Sequence, residues 1–224
     1  MKHIFIFSLI FAIAFVSCAQ SDNELLNEVT SKLEAGTPVS AILTHKNYLS
    51  LHEQSSFRAL VKKHATATPV AMTTGDEPGK KILVKGVLKN KSGNPIPGAL
   101  IYFYQTDAKG WYAADRPHVG GNEGDRGHAR IFGYLKTGVD GSFELHTVKP
   151  SGYPQSDLPA HIHVEILNLP GYANLVTEFL FDDDERLTGN IREQALRNGF
   201  LNAKPEAAKS PFAQQFSYTI ELNK

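Results

Sequence analysis

From residue 80 onward, apolar and polar positions alternate in short runs separated by Gly- and Pro-rich turns. Residues 82–88 read as one strand and 99–105 as a second. Leu100, Tyr102 and Tyr104 fall on one face of the second strand, Ile101 and Phe103 on the other. Residues 131–136 and 143–147 flank the turn Gly138-Val139-Asp140-Gly141 and predict a hairpin, and 160–167, 175–181 and 216–222 add further strands. Short strands punctuated this way predict a mostly β fold, a sandwich. Helical spacing occurs only at the margins. Leu25, Leu26, Val29 and Leu33 predict a helix over 22–35 that Gly36 stops, and Leu51, Phe57, Leu60 and Val61 predict another from about 49 to 63. Residues 66–79, rich in Thr, Pro and Gly, read as a linker, and 189–198 as one late helix.

The extreme N-terminus follows another pattern. Lys2 and His3 precede an apolar run over residues 4–16, interrupted only by Ser8, that ends in Val16-Ser17-Cys18-Ala19. Those 13 residues are too few for a membrane span, which needs about 20. A charged start, an apolar centre and small residues at the end make a secretory signal. The cysteine after a small residue resembles a bacterial lipobox, with Phe15 where such motifs usually carry leucine. The expectation is a signal over 1–17, lipidation at Cys18, and a mature protein held by a lipid anchor in the periplasm or at the cell surface. A plain signal would leave it secreted. Residues 18–79 then form a helical segment and linker, a cap, a stalk or a homodimer contact, and residues 80–224 form the β domain.

Composition narrows the partners. The 224 residues carry 23 Lys+Arg and 23 Asp+Glu, so no basic excess exists to neutralise nucleic-acid phosphates. A 42% hydrophobic content excludes a disordered chain. With Cys18 the single cysteine, neither a disulfide framework nor a cysteine-based structural zinc site is available.

Chemistry concentrates around His161-Ile162-His163. Side chains at i and i+2 of a strand share a face, so both imidazoles can address one centre, and neutral imidazole is the commonest metal ligand. Glu165 extends the face, but three successive same-face positions span about 13 Å and do not converge easily on one ion. It is therefore expected at the rim or behind the ligands. Two tyrosines stand in constrained loops: Tyr112 in Gly110-Trp111-Tyr112 and Tyr153 in Pro150-Ser151-Gly152-Tyr153-Pro154. Phenolates are hard anionic donors that suit ferric iron; taken singly, each tyrosine also reads as a half-buried aromatic with a hydrogen-bonded hydroxyl. The run Asp182-Asp183-Asp184-Glu185 reads as a solvated turn.

Taken in order, the segments Val84-Lys85-Gly86-Val87, Gly93-Asn94-Pro95-Ile96-Pro97-Gly98-Ala99, Gly110-Trp111-Tyr112, Pro150-Ser151-Gly152-Tyr153-Pro154 and Pro159-Ala160-His161-Ile162-His163 resemble the catalytic domain of intradiol ring-cleavage dioxygenases. The resemblance implies a β-sandwich of that type. It also implies an Fe(III) ion held by Tyr112, Tyr153, His161 and His163, with Tyr112 and Tyr153 in catalytic roles and Tyr153 giving way to substrate. The implied reaction uses O2 to cleave a catechol-type ring between its hydroxylated carbons. Two positions depart from the family: Leu158 stands where arginine is usual, and Glu178 where glutamine is usual. Both are candidate substrate contacts, and Arg126, His128 and Arg130 are candidate replacements for the missing cation. Two other readings stand beside this one. One is a surface β-sandwich binding protein with a relic or non-iron site; the other is a ferrous or zinc site built from His161, His163 and Glu165.

Overall fold

The computed structural model describes residues 21–119 and 121–223, without the side chains of 122 and 123. The signal and Cys18 lie outside these residues. Among the described residues, nine strands make two sheets: β1 (Val70–Ala71), β2 (Lys81–Asn90), β3 (Leu100–Gln105), β4 (Ile131–Lys136), β5 (Ser142–Val148), β6 (His161–Ile166), β7 (Leu175–Phe181), β8 (Leu201–Ala203) and β9 (Gln214–Leu222). One sheet runs β1-β5-β2-β9 and the other β4-β3-β6-β7-β8. The mostly β sandwich is therefore the observed fold.

The strands form where alternation supplies an inner row. In β9, buried Phe216, Tyr218, Ile220 and Leu222 alternate with exposed Ser217, Thr219 and Glu221. Aromatic rings knit the two sheets: Phe179 of β7 stacks on Tyr218 of β9 at 4.0 Å, and Phe181 meets Phe216 edge-on at 4.8 Å. Gly86 faces Phe143 across the β2–β5 pair, and a Cβ there would lie 2.1 Å from that ring, so only glycine admits it.

Helices cover the outer face of the five-stranded sheet. Helix α1 (Asp22–Glu34) starts at a capping box between Ser21 and Glu24 and buries Leu25, Val29 and Leu33. The helix expected over 49–63 is instead a 3-10 turn (Lys46–Leu51) and α3 (Ser55–Lys63), broken at Gln54, and a short α2 (Val39–Leu43) precedes them. All these elements share one apolar cluster with both sheets. Within the expected linker, β1 pairs in parallel with β5. The stretch before the hairpin contains a further helix, α4 (Gly121–His128), and the late helix is α5 (Gly189–Arg197). Among the described residues, no helix is long and apolar enough to cross a membrane.

Candidate metal centre

On the outer face of β6, His161 and His163 point the same way, as i and i+2 residues must. Tyr104 of β3 lies opposite His163 in register and stacks on its imidazole, with centroids 4.4 Å apart. The strand entrance is fixed by Asp184, whose carboxylate accepts the Ala160 amide at 2.7 Å.

The tyrosines arrive on two loops that touch backbone to backbone. Asp107 Oδ1 accepts the amides of Lys109 and Trp111, curling the chain so that Tyr112 turns inward. Gly110 has a positive φ of +83°, and a Cβ there would lie 2.3 Å from the Gly152 carbonyl. Gly152 is equally confined, because its Cβ would meet the Leu158 carbonyl at 2.1 Å. Thr106 Oγ1 donates to the Ser151 carbonyl at 2.7 Å, tying the loops together again. The Arg130 amide holds the Tyr112 carbonyl at 2.8 Å.

Four donor atoms meet as a result. Tyr112 Oη stands 2.7 Å from Tyr153 Oη and 2.8 Å from His163 Nε2; Tyr153 Oη is 3.0 Å from His161 Nε2, and the two Nε2 atoms are 3.1 Å apart. Ligands about 2 Å from a shared ion stand about 2.8–3.3 Å from one another, so the set fits one metal. The tautomer agrees. His161 Nδ1 lies 2.8 Å from the Pro159 carbonyl, which can only accept, so Nδ1 carries the proton and Nε2 offers its lone pair. Burial, aided by His161, pushes the His163 imidazole down to about 2, which keeps it neutral as a ligand must be. Burial also pushes the Tyr153 phenol up to about 12 and holds Tyr112 far higher. These phenols ionise only against a strongly charged cation, the condition that a ferric ion supplies.

The other sequence-selected residues separate into distinct places. Glu178 of β7 pairs in register with His163, its carboxylate 3.5 Å from His163 Nδ1, and burial raises its pKa. It is the carboxylate grouped with His161 and His163, their potential ligand atoms lying within 4.8 Å of one another. Glu165 is not in that group: both its oxygens accept Arg126 Nε, at 2.7 and 2.8 Å. This corrects the ferrous or zinc reading, in which Glu165 completes the ligand set. Leu158 is half exposed and lines the same cavity as the four ligands. Arg130, selected as a possible substrate cation, is outside that lining. Its guanidinium forks onto Glu77 at 2.7 and 2.8 Å and reaches Asp107 at 3.4 Å. Arg126 does line the cavity, at the side of Glu165. His118 sits edge-on to Tyr153 with centroids 4.6 Å apart and is held by Asp125 at 2.9 Å.

Several supporting residues escaped the sequence reading. Arg58 of α3 is buried, stacks over Phe132 at 3.8 Å and donates to the carbonyls of His52, Ala129 and Arg126 at 3.0 Å each, and to the Tyr102 hydroxyl. Its signal was a cation beside Phe57 on the apolar face of a helix. Glu77 sat in a stretch read as a linker. Asp184 lies within the run read as a solvated turn, and Arg186, just after that run, donates to the Tyr153 carbonyl at 3.2 Å.

The dioxygenase family model matches residues 55–224. The chain is 30% identical over 129 residues to chlorocatechol 1,2-dioxygenase of Rhodococcus opacus, covering 50% of this chain and 48% of that protein. It is 26% identical over 157 residues to the protocatechuate 3,4-dioxygenase beta chain of Burkholderia cepacia, covering 67% and 62%. It thus spans from about two fifths to three fifths of the length of the first curated relatives that it matches. Solved structures share the fold. The crystal structure of 3-chlorocatechol 1,2-dioxygenase from Rhodococcus opacus 1CP superposes with a TM-score of 0.55 at 20% identity, covering 90% of this chain and 93% of that one. The dioxygenase domain of a carbohydrate-binding fusion from Streptomyces sp. SirexAA-E gives 0.52 at 23% identity, covering 71% and 89%. The chain belongs to the intradiol ring-cleavage dioxygenase family.

Proposed function

We propose that this protein is an exported, non-haem Fe(III) oxidoreductase that uses O2 to open a catechol-type ring. The bond between the two hydroxylated carbons breaks, and both oxygen atoms of O2 enter the resulting diacid. The convergence of two phenol oxygens and two imidazole nitrogens, neighbours within 2.7–3.1 Å, carries the reading. Tyr112, Tyr153, His161 and His163 would hold the ion, which supplies Lewis acidity and a template for diol and oxygen. The chain's own groups do the rest. His161 Nδ1 keeps its proton and donates it to the Pro159 carbonyl, fixing the ring. Tyr153, the less buried of the two phenols that line the cavity, would as a phenolate take a proton from an incoming diol hydroxyl and leave as the neutral phenol. Asp125 keeps His118 against the Tyr153 ring and so narrows the places that ring can occupy.

Tyrosinate on ferric iron absorbs visible light, so iron-loaded protein should be red to purple. Tyr112→Phe and His161→Ala should each abolish the colour and the oxygen uptake with catechols. Colourless protein containing stoichiometric iron would overturn the reading and favour a site of His161, His163 and Glu178. Export rests on the leader. Cys18→Ser should move the protein from the membrane fraction to the soluble fraction of its host, whereas unchanged membrane association would exclude lipidation at that residue.

A further inference from the structure

The four ligands occupy one end of a cavity of about 760 Å³. An apolar void of roughly 150 Å³ already accepts a benzene ring, so this space is about five times what an unsubstituted aromatic fills. The wall around and beyond the ligands is mostly apolar, with Leu158, Val176 and Leu180 (the cross-strand partner of His161) beside Ile191, Ala195 and Phe200, and it is interrupted by the neutral polar side chains of Thr177, Gln194 and Asn198. Leu158 is 50% exposed and Val176 64%, so two large apolar side chains face solvent where they border the cavity. Contiguous apolar surface at a concave site marks ligand contact.

The charges in this wall have one sense. Among the described lining residues Arg126 is the one Lys or Arg, and Glu165 takes its Nε with both oxygens. Asp125 and Glu178 add two more acids. Glu178 offers no positive charge in either protonation state, and Leu158 offers none at all. A substrate carboxylate would enter without a partner and beside acids, which opposes binding. Resting on the function proposed above, we infer that the site takes catechols bearing a bulky, uncharged, apolar ring substituent, in preference to bare catechol and to carboxylated catechols. The diol end would sit at the ligands, and the substituent would lie between β7 and α5.

The test is anaerobic titration of the full-length, Fe(III)-loaded protein with catechol, 4-tert-butylcatechol, 4-phenylcatechol and 3,4-dihydroxybenzoate. Calorimetry and the shift of the visible band would give each Kd without turnover. One methylene in an apolar pocket changes affinity by about ten-fold or more, so the two bulky catechols should bind at least about ten-fold tighter than catechol, and the benzoate weaker than catechol. Val176→Lys sits at an exposed position that tolerates the change and should raise the affinity of the benzoate relative to catechol. Ala195→Phe should lower the affinity of 4-phenylcatechol relative to catechol. Equal affinities across the panel, or the benzoate binding tightest, would overturn the inference while leaving the iron–diol reading intact. Failure of every diol to bind or to shift the band would overturn that reading, and the inference with it.

Discussion

The two sheets share one inner core and differ on their outer faces. On the four-stranded sheet the outer row of β2 and β9 includes Lys85, Val87, Ser217, Thr219 and Glu221, all exposed, with Leu83 the buried member of the β2 row. On the five-stranded sheet the corresponding row is Tyr102, Tyr104, His161, His163, Glu165 and Glu178, lying beneath helices and loops and mostly buried. Water screens charges on the first face, so polar residues there interact weakly. On the second face each polar group needs a partner, and its position becomes fixed. Covering a sheet on both sides thus turns a strand's outer row into a place where donors can be aimed.

The largest effect on this contrast should come from Arg58→Met. It removes the cation that satisfies three carbonyls and a phenol beneath the covered face, and should destabilise the protein by about 4 kcal/mol in urea unfolding. A loss below about 1 kcal/mol would show that the cover is held by apolar contact alone. Next is pH. Burial lowers the His52 pKa from 6.5 to about 4, so the folded chain refuses a proton that the unfolded chain accepts. Stability should be full above about pH 6.5, fall as pH drops towards 4, and flatten below that, a total of about 3 kcal/mol at most. His52→Gln should remove that part of the slope, and matching slopes for the two proteins would refute the assignment. The smallest effect belongs to the wet face. Lys85, 3.6 Å from Glu144 and largely exposed, should change stability by about 0.5 kcal/mol or less when replaced by alanine. A larger loss would blur the distinction between the faces.

The contrast also explains what the sequence revealed. The wet-faced strands announce themselves by alternation, and β9 matches its expected span closely because Ser217, Thr219 and Glu221 break the apolar run on schedule. His161 and His163 were legible for the same reason, since period two puts them together without any tertiary knowledge. Tyr112 and Tyr153 came from the resemblance, because no local periodicity tells a loop tyrosine where it points. Arg58, Glu77 and Asp184 were not legible. Each acts across a large sequence separation, Arg58 on Ala129, Glu77 on Arg130 and Asp184 on Ala160, through contacts that exist only after the covering elements have packed. A two-residue strand such as β1 leaves too short a pattern to read.

Where Gly110 rests on the carbonyl of Gly152, the gap between the two tyrosine-bearing segments is set by the thickness of bare main chain. Neither segment has a side chain there that could swing aside and let the other slide. On the function proposed above, a diol that displaces Tyr153 would turn that ring about its own bonds rather than slide one loop past the other.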